Sequence, residues 1–459
     1  MTVDIWAKVK EPAGLCGLSA GLCLLPGLTL ACALPPSVIL TLPTGHYITA
    51  AALTVALTAV AGPWVQRLPR SEARDLGRFP GAGAQPVISY LSLLVFLALI
   101  FIGIWGPTDP MHNLLTLVFW TIVWIAVPLM SMLIGNVWGL INPWTSAVRV
   151  TRTLIGWRGQ IGLRRLGQWP AVAGLAGFTW FQLVSLSPED PMTLARVAGL
   201  YWAGIYLLAV ADGEDWLDQG EFLTVMMRYL SFVAPLWGER GRLKLGLPGT
   251  QILHLRPLDL SQMAFVSLSL SALSFDGLIE TFWWQALIGE NPLEPTGRSA
   301  VMVENTLGLI AVWGATTLCL SVVLWLGRRW GGAAMAAGPV MLSFLVIAAG
   351  YHAAHYLVTL LTTGQYTLAA LNDPLFQGDT LLGLEDFFVS FGFLTDAGTM
   401  QAIYATQFAA ILGAHLLAMI LSFRLTDKGL RIFAHAPMGL FMVIYTVFGL
   451  WLLSTARSA

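Results

Sequence analysis

Long apolar runs separated by short polar stretches recur from one end of this chain to the other. A helix rises ~1.5 Å per residue and the hydrocarbon core of a bilayer is ~30 Å thick, so a membrane span needs ~20 mostly apolar residues. By that measure the pattern predicts about eleven spans. They fall near 13–34, 46–65, 87–106, 114–134, 170–187, 194–211, 262–288, 301–327, 333–360, 398–424 and 434–455. The stretch 219–236 is shorter and carries Glu221 and Arg228, which reads as an interfacial or half-buried helix. The expected fold is an all-α polytopic membrane protein, one transmembrane helical domain over residues 1–459.

Composition agrees, since a chain 56% hydrophobic and 11% charged is suited to lipid rather than water. The basic residues then set an orientation. With the N-terminus cytoplasmic, the inner side collects Lys8 and Lys10, Arg67 to Arg78, Arg149 to Arg165, Arg228 to Arg256, Arg328 and Arg329, and Arg424 to Arg431. Of the 24 Lys and Arg, only Arg196, Arg298 and Arg457 fall on the other side. The positive-inside rule makes that bias an argument for the span count and for an extracytoplasmic C-terminus. A net charge of −1 points to no nucleic-acid partner. Membrane lipids are the expected surroundings, with a small membrane subunit or a larger membrane complex as further partners. Cys16, Cys23, Cys32 and Cys319 all lie within spans and form no CxxC pair, so they read as buried apolar fillers.

Two inner segments are long: 135–169, rich in Arg and Trp, and 212–260, which opens with Asp212, Glu214, Asp215, Asp218 and Glu221. The long outer loop, near 361–397, carries Asp373, Asp379, Glu385, Asp386 and Asp396 and no Lys or Arg. Its apolar content predicts that it folds over the outer mouth of the bundle. Many of the 19 Trp, such as Trp64, Trp105, Trp138, Trp144 and Trp169, sit near span ends, as an aromatic belt places them.

Against that background four side chains stand out: Asp276, His352, His355 and His415, each within an apolar run. An ionisable group at mid-helix costs about 2.5 to 3.5 kcal/mol on insertion scales, so its retention argues for use. Asp276 sits near the centre of LSLSALSFDGLIETFWW, with Glu280 one turn on and so on the same face. His352 and His355 are spaced i, i+3 in AAGYHAAHYL. His415 is expected near the midplane, about 15 Å deep, at a depth where it meets Asp276 and His352 if their helices are neighbours. Such a set offers three chemistries: ligands for Zn, Fe or Mn that activate water, a pair of histidines on haem b, or a proton or ion relay. His46, His112, His254 and His435 read as loop or interface histidines. Asp373, in an NDP turn just after the histidine helix, is the strongest of the outer acids.

Several segments together resemble one bacterial family of polytopic membrane proteins, the membrane-integrated fenitrothion hydrolases. They are GNVWGLINPW (135–144), GEFLTVMMRYLSFVAP (220–235), LSFDGLIETFWW (273–284), AAHYLVTLLTTGQYTLAALNDPL (353–375) and FAAILGAHLLAM (408–419). The likeness covers about 135 to 420 in order and falls on Gly135, Asn136, Trp138, Asn142 and Pro143. It continues on Phe275, Asp276 and Gly277, on His355, Tyr356, Gln365, Asp373 and Pro374, and on Gly413 and His415. The chain departs from the family's Gly-His by one residue, reading Gly-Ala-His. The resemblance implies a phosphotriester hydrolase of the bacterial inner membrane.

Three functions are therefore expected to compete. The first is a metal-dependent hydrolase acting on a lipophilic substrate, with Asp276, His355, His415 and His352 as ligands and Glu280 or Asp373 as general base. The second is a permease for protons, metal ions or a solute through the same residues. The third is a membrane subunit of a respiratory or photosynthetic complex, able to hold haem. The chain has no HExxH, Walker A or CxxCH to favour another enzyme class.

Overall fold

The computed structural model describes residues 44–66, 72–78, 83–294, 296–332, 335–384, 389–426 and 432–455, all within one contact unit that runs from residue 33 to 459. The span expected at 13–34 lies outside the described residues. The described chain is all-α apart from one small sheet. Its helices begin with α1 (Thr44–Val65), α2 (Gln85–Trp105) and α3 (Leu114–Leu117). A π-helical stretch, Val118–Ala126, then leads into α4 (Val127–Ile134), α5 (Trp138–Ile141) and α6 (Thr145–Leu154). After these come α7 (Trp169–Leu183), α8 (Pro191–Asp212), α9 (Leu217–Gly220), α10 (Phe222–Ser231), α11 (Leu260–Ile279) and α12 (Phe282–Leu287). The last are α13 (Met302–Gly331), α14 (Ala337–Met341), α15 (Phe344–His355), α16 (Leu357–Asn372), α17 (Ala397–Arg424) and α18 (Ile432–Ser454).

Among the described residues, nine helices are long and apolar enough to cross a membrane. They match nine of the expected spans, and the outward-facing Leu, Val and Phe of α2, α8 and α13 suit contact with lipid. The expected span at 170–187 is a correction: α7 has 15 residues, about 22 Å of helix. Its end is closed by Arg298, whose guanidinium donates to the carbonyls of Gln182 at 3.1 Å and Ser185 at 3.2 Å. A cation on the last carbonyls of a helix is where the helix dipole favours it.

The stretch expected to be interfacial or half-buried, 219–236, is largely buried. Its helix α10 buries nine of ten residues and packs on α4, α7 and α15. Its first turn lies against Tyr201, half way along α8, and Phe178, while Tyr229 near its other end bonds Gln168 at the start of α7. It is a half-helix that starts inside the protein and runs back toward one face. Glu221 permits this. It is fully buried, yet its carboxylate accepts from the Tyr201 hydroxyl at 2.6 Å, the Leu223 amide at 2.8 Å, and the Thr224 amide and hydroxyl at 2.6 Å each. A carboxylate on free N–H groups at a helix start is stabilised there.

Two further boundaries move. The apolar run 262–288 divides at Glu280 because Thr281 caps a new helix, accepting from the Trp284 amide at 3.1 Å; Asp276 thus lies three residues from the end of α11 rather than at a centre. The chain expected to be loop from 361 is helical to Asn372. Its polar residues do not break the helix because Thr362, Thr363 and Thr367 donate back to carbonyls one turn earlier. The loop begins at Asp373.

Segments expected on one side of the membrane do meet. Strand β1 (Arg74–Arg78) pairs with β3 (Arg242–Leu245), which pairs with β2 (Leu236–Glu239), in the order β1-β3-β2. Arg149 pairs with Glu214 at 2.9 Å and Arg164 with Asp215 at 3.0 Å. On the opposite face Asp109 pairs with His112, and the His112 ring packs at a tilt against Phe376 of the outer loop. The two faces are called basic and acidic below. At the acidic face Asp396 caps α17, accepting from the Thr399 amide at 2.7 Å and hydroxyl at 2.8 Å. That amide, more than the hydroxyl, holds the Asp396 carboxyl below the usual carboxylate range. A lowered folded pKa gives stability that is complete above the unfolded value of about 3.9 and is lost as pH falls through the folded value. The protection of the Thr399 amide from hydrogen exchange, taken relative to the intrinsic rate at each pH, is therefore expected to fall only in that acid range, and a fall between pH 5 and 8 would contradict the cap.

Candidate functional site

The site forms where α11 and α15 approach closely. A Cβ on Gly350 would lie 2.3 Å from the Ala414 Cβ and 2.8 Å from the Ala410 carbonyl of α17, and backbone cannot yield. Gly350→Ala is expected to lower stability by about 1–3 kcal/mol through overpacking, outweighing the ~1 kcal/mol alanine gains in helix propensity. At Gly277 the obstacle is the Tyr351 hydroxyl, 2.4 Å from a Cβ, the end of a side chain that can turn, so Gly277→Ala is expected to cost less. Melting curves of both variants in detergent test the order, and a Gly350→Ala protein as stable as wild type would refute it.

With the helices this close, His355 Nε2 lies 3.2 Å from Asp276 Oδ2. The Tyr356 hydroxyl donates to the same carboxylate oxygen and accepts from Gln182 Nε2 at 3.1 Å. Tyr356 is also the residue at which α15 gives way to α16. His355 stacks on Tyr351, and its ring meets that of Tyr356 edge-on. The Asp276–His355 pair is thus bordered by aromatic rings within a buried network that reaches Arg298 through Gln182.

His352 turns elsewhere. Its Nε2 bonds the Trp124 carbonyl at 3.0 Å. The cause is in the sequence: the residue four places after Trp124 is Pro128, which has no N–H to give that carbonyl, and the helix is π-wound through Trp124. The imidazole fills the place of the missing donor, while its ring contacts Tyr356.

His415 stands apart. Its Nδ1 bonds the Ile411 carbonyl at 2.8 Å, one turn back on its own helix, and its ring faces Tyr445. Glu280 sits at the C-cap of α11. Asp373 accepts from the Gln377 and Gly378 amides at 2.9 and 2.7 Å, building the outer loop at the edge of a separate pocket of about 430 Å³. Of the six expected site residues, then, Asp276 and His355 meet, His352 lies beside them facing away, and His415, Glu280 and Asp373 hold other positions. Among the described residues no three His, Cys, Asp or Glu side chains are placed to hold a metal ion. The donor set therefore does not fit a three-ligand centre, and His352 Nε2, bonded to a carbonyl, is not free to ligate a haem.

Sequence reasoning missed Gln182, Thr179, Ser269 and Trp124, and had Tyr356 only through the family likeness. All five, with Asp276 and His352, line a narrow cavity of about 40 Å³ between α7, α10, α11 and α15, with room for about three waters. The cavity follows α11 from Phe265 to Asp276, about 16 Å of helix rise. Two further landmarks of the likeness belong to a second, structural cluster: Trp138 and Asn142 each donate to the Thr224 hydroxyl at 3.1 Å, beside Glu221. No known protein family, curated protein or solved structure matches the chain.

Proposed function

We propose that this protein is a multi-pass permease of a bacterial cytoplasmic membrane that carries protons through Asp276, with its basic face toward the cytoplasm as the positive-inside rule requires. The observation that carries the reading is a buried carboxylate, held by His355 and Tyr356, at the closed end of a narrow cavity and against the joint between α15 and α16. Ionisable groups placed in this way mark proton relays, and interrupted helices beside a cavity are the usual frame for them in transporters.

The physical logic is local. An ionised Asp276 accepts from two donors. Taking up a proton removes its charge, so the bonds that His355 and Tyr356 make to it weaken. Tyr356 is the hinge residue between two helices, so the state of the carboxylate biases the angle between them. The half-helix α10 lends no anion site of its own, because Glu221 already fills its N-terminus.

The hydrolase implied by the family resemblance rests on that likeness alone; a catalytic zinc usually has three protein ligands, and Asp276 with His355 supply two. The test is proton flux. Reconstituted into vesicles loaded with a pH-sensitive dye, the protein is expected to dissipate an imposed pH gradient faster than protein-free vesicles do. Equal rates would overturn the reading, and turnover of a chromogenic phosphotriester without proton flux would put the hydrolase in its place.

A further inference from the structure

The cavity below Asp276 is closed unequally at its two ends. Toward the acidic face stand the carboxylate with its two donors and the Gln182 amide, tied in turn to Arg298. Toward the basic face stands Tyr229, whose hydroxyl makes one neutral hydrogen bond, 2.8 Å long, to Gln168.

Two buried donors flank that bond. The Gln168 Nε2 and the Arg228 Nε have no hydrogen-bond acceptor among the described residues, though Gln168 is 1% exposed. Buried N–H groups without a protein partner are rare and commonly bond water. Between the ends, the hydroxyls of Thr179 and Ser269 lie in the cavity wall. Each donates to a carbonyl of its own helix, at 2.8 and 2.9 Å, and keeps lone pairs free to accept from water. On α11, Ser269 and Asp276 are seven residues apart, two turns along the same face. Polar groups therefore recur along the cavity from Tyr229 through Thr179 and Ser269 to Asp276, with Gln168 behind Tyr229, and the volume suits about three waters rather than a larger solute.

From this we infer that the cavity is a one-sided water path: water and ions of its size reach Asp276 from the basic face, past Tyr229, and not from the acidic face. The inference rests on the proposed function only for what the water would serve; the access itself rests on the cavity and the unequal closures. For the proposed permease it means that Asp276 exchanges with the basic side in this conformation, and that exchange with the acidic side waits for the Tyr356 joint to move.

The test uses silver ion, which is close to water in size and reacts with thiols. Ser269→Cys, and separately Thr179→Cys, is placed in a full-length chain whose Cys16, Cys23, Cys32 and Cys319 are replaced by Ala. Vesicles of either orientation are exposed to silver, and the thiol that remains is labelled with a maleimide after denaturation, so the readout needs no transport activity. Leu318→Cys, on the lipid-facing side of α13, serves as the control. The expected result is protection at 269 and 179 at least tenfold faster when silver is added at the basic face, with the control slow from both sides. Tyr229→Phe is expected to speed the reaction from the basic face further.

Equal rates from both faces, a faster rate from the acidic face, or a thiol as slow as the control would each overturn the inference. These outcomes separate it from the proposed function. Unreactive cavity thiols in a protein that still moves protons through Asp276 would remove the path and leave the permease; reactive thiols in a protein without flux would do the reverse.

Discussion

Asp276→Asn is expected to slow proton flux by at least about 100-fold, the lower end of the range over which a positioned acid or base alters proton-transfer rates, while leaving the fold intact. The two halves of that statement come from one geometry. Asparagine keeps the shape of the side chain, an oxygen that accepts from Tyr356, and an amide that meets His355 once the ring presents its unprotonated nitrogen. What it cannot do is take up and release a proton. A structural carboxylate and a working one are thereby told apart: the first predicts a lowered melting temperature with residual flux, the second an unchanged melting temperature with flux near that of empty vesicles. Tyr356→Phe should fall between, since it removes one donor and leaves the carboxylate. Should Asp276→Asn vesicles match wild type in flux, the site assignment fails whatever the stability data show.

The second large effect is expected at Glu221→Ala, a loss of at least about 3 kcal/mol of stability. Four donors converge on this carboxylate, and each buried donor left without a partner costs about 1–3 kcal/mol. The removed side chain also leaves a void where the surroundings are already close-packed. Asp218, exposed on the preceding turn, is the matched control, and Asp218→Ala should stay within about 0.5 kcal/mol of wild type. Detergent melting curves with protease digestion of the 213–260 region read both. Equal stability of the two variants would show that α10 is held by its apolar contacts alone.

Glu221 also marks where sequence reading reached its limit. Long apolar runs gave the all-α membrane class and, among the described residues, nine helices long and apolar enough to span, because length and hydrophobicity decide those directly. A short run with an acid at its start reads as interfacial or half-buried, and nothing in the run reports the partners, Tyr201 and Thr224, that let the acid be buried. The same gap appears among the histidines. Cost in lipid selects buried ionisable groups without saying which of them meet. It picked out Asp276, His355 and His415 equally, yet His415 bonds its own helix through Nδ1 and meets neither of the others. His352 was legible as buried, whereas its use, replacing the donor that Pro128 lacks, depends on a residue some 220 positions away. Gln182 was hidden in WFQLVSL, where one amide near a span end looks like ordinary interface chemistry. Thr179 and Ser269 look like common helix residues until the cavity places them on one wall.

The small sheet has a consequence for biogenesis. Arg242 on β3 bonds Asp75 on β1 across 167 residues of chain. A ribosome adding about 5–20 residues per second needs roughly 10–30 s to supply the partner strand after the first has emerged. During that time α2, α4 and α8 are delivered to the bilayer with β1 unpaired at its edge. The hairpin of β2 and β3 then acts as a late clasp, joining an early loop to the segment that follows α10, and shortening the 72–78 loop would be felt in assembly yield before it was felt in the finished protein.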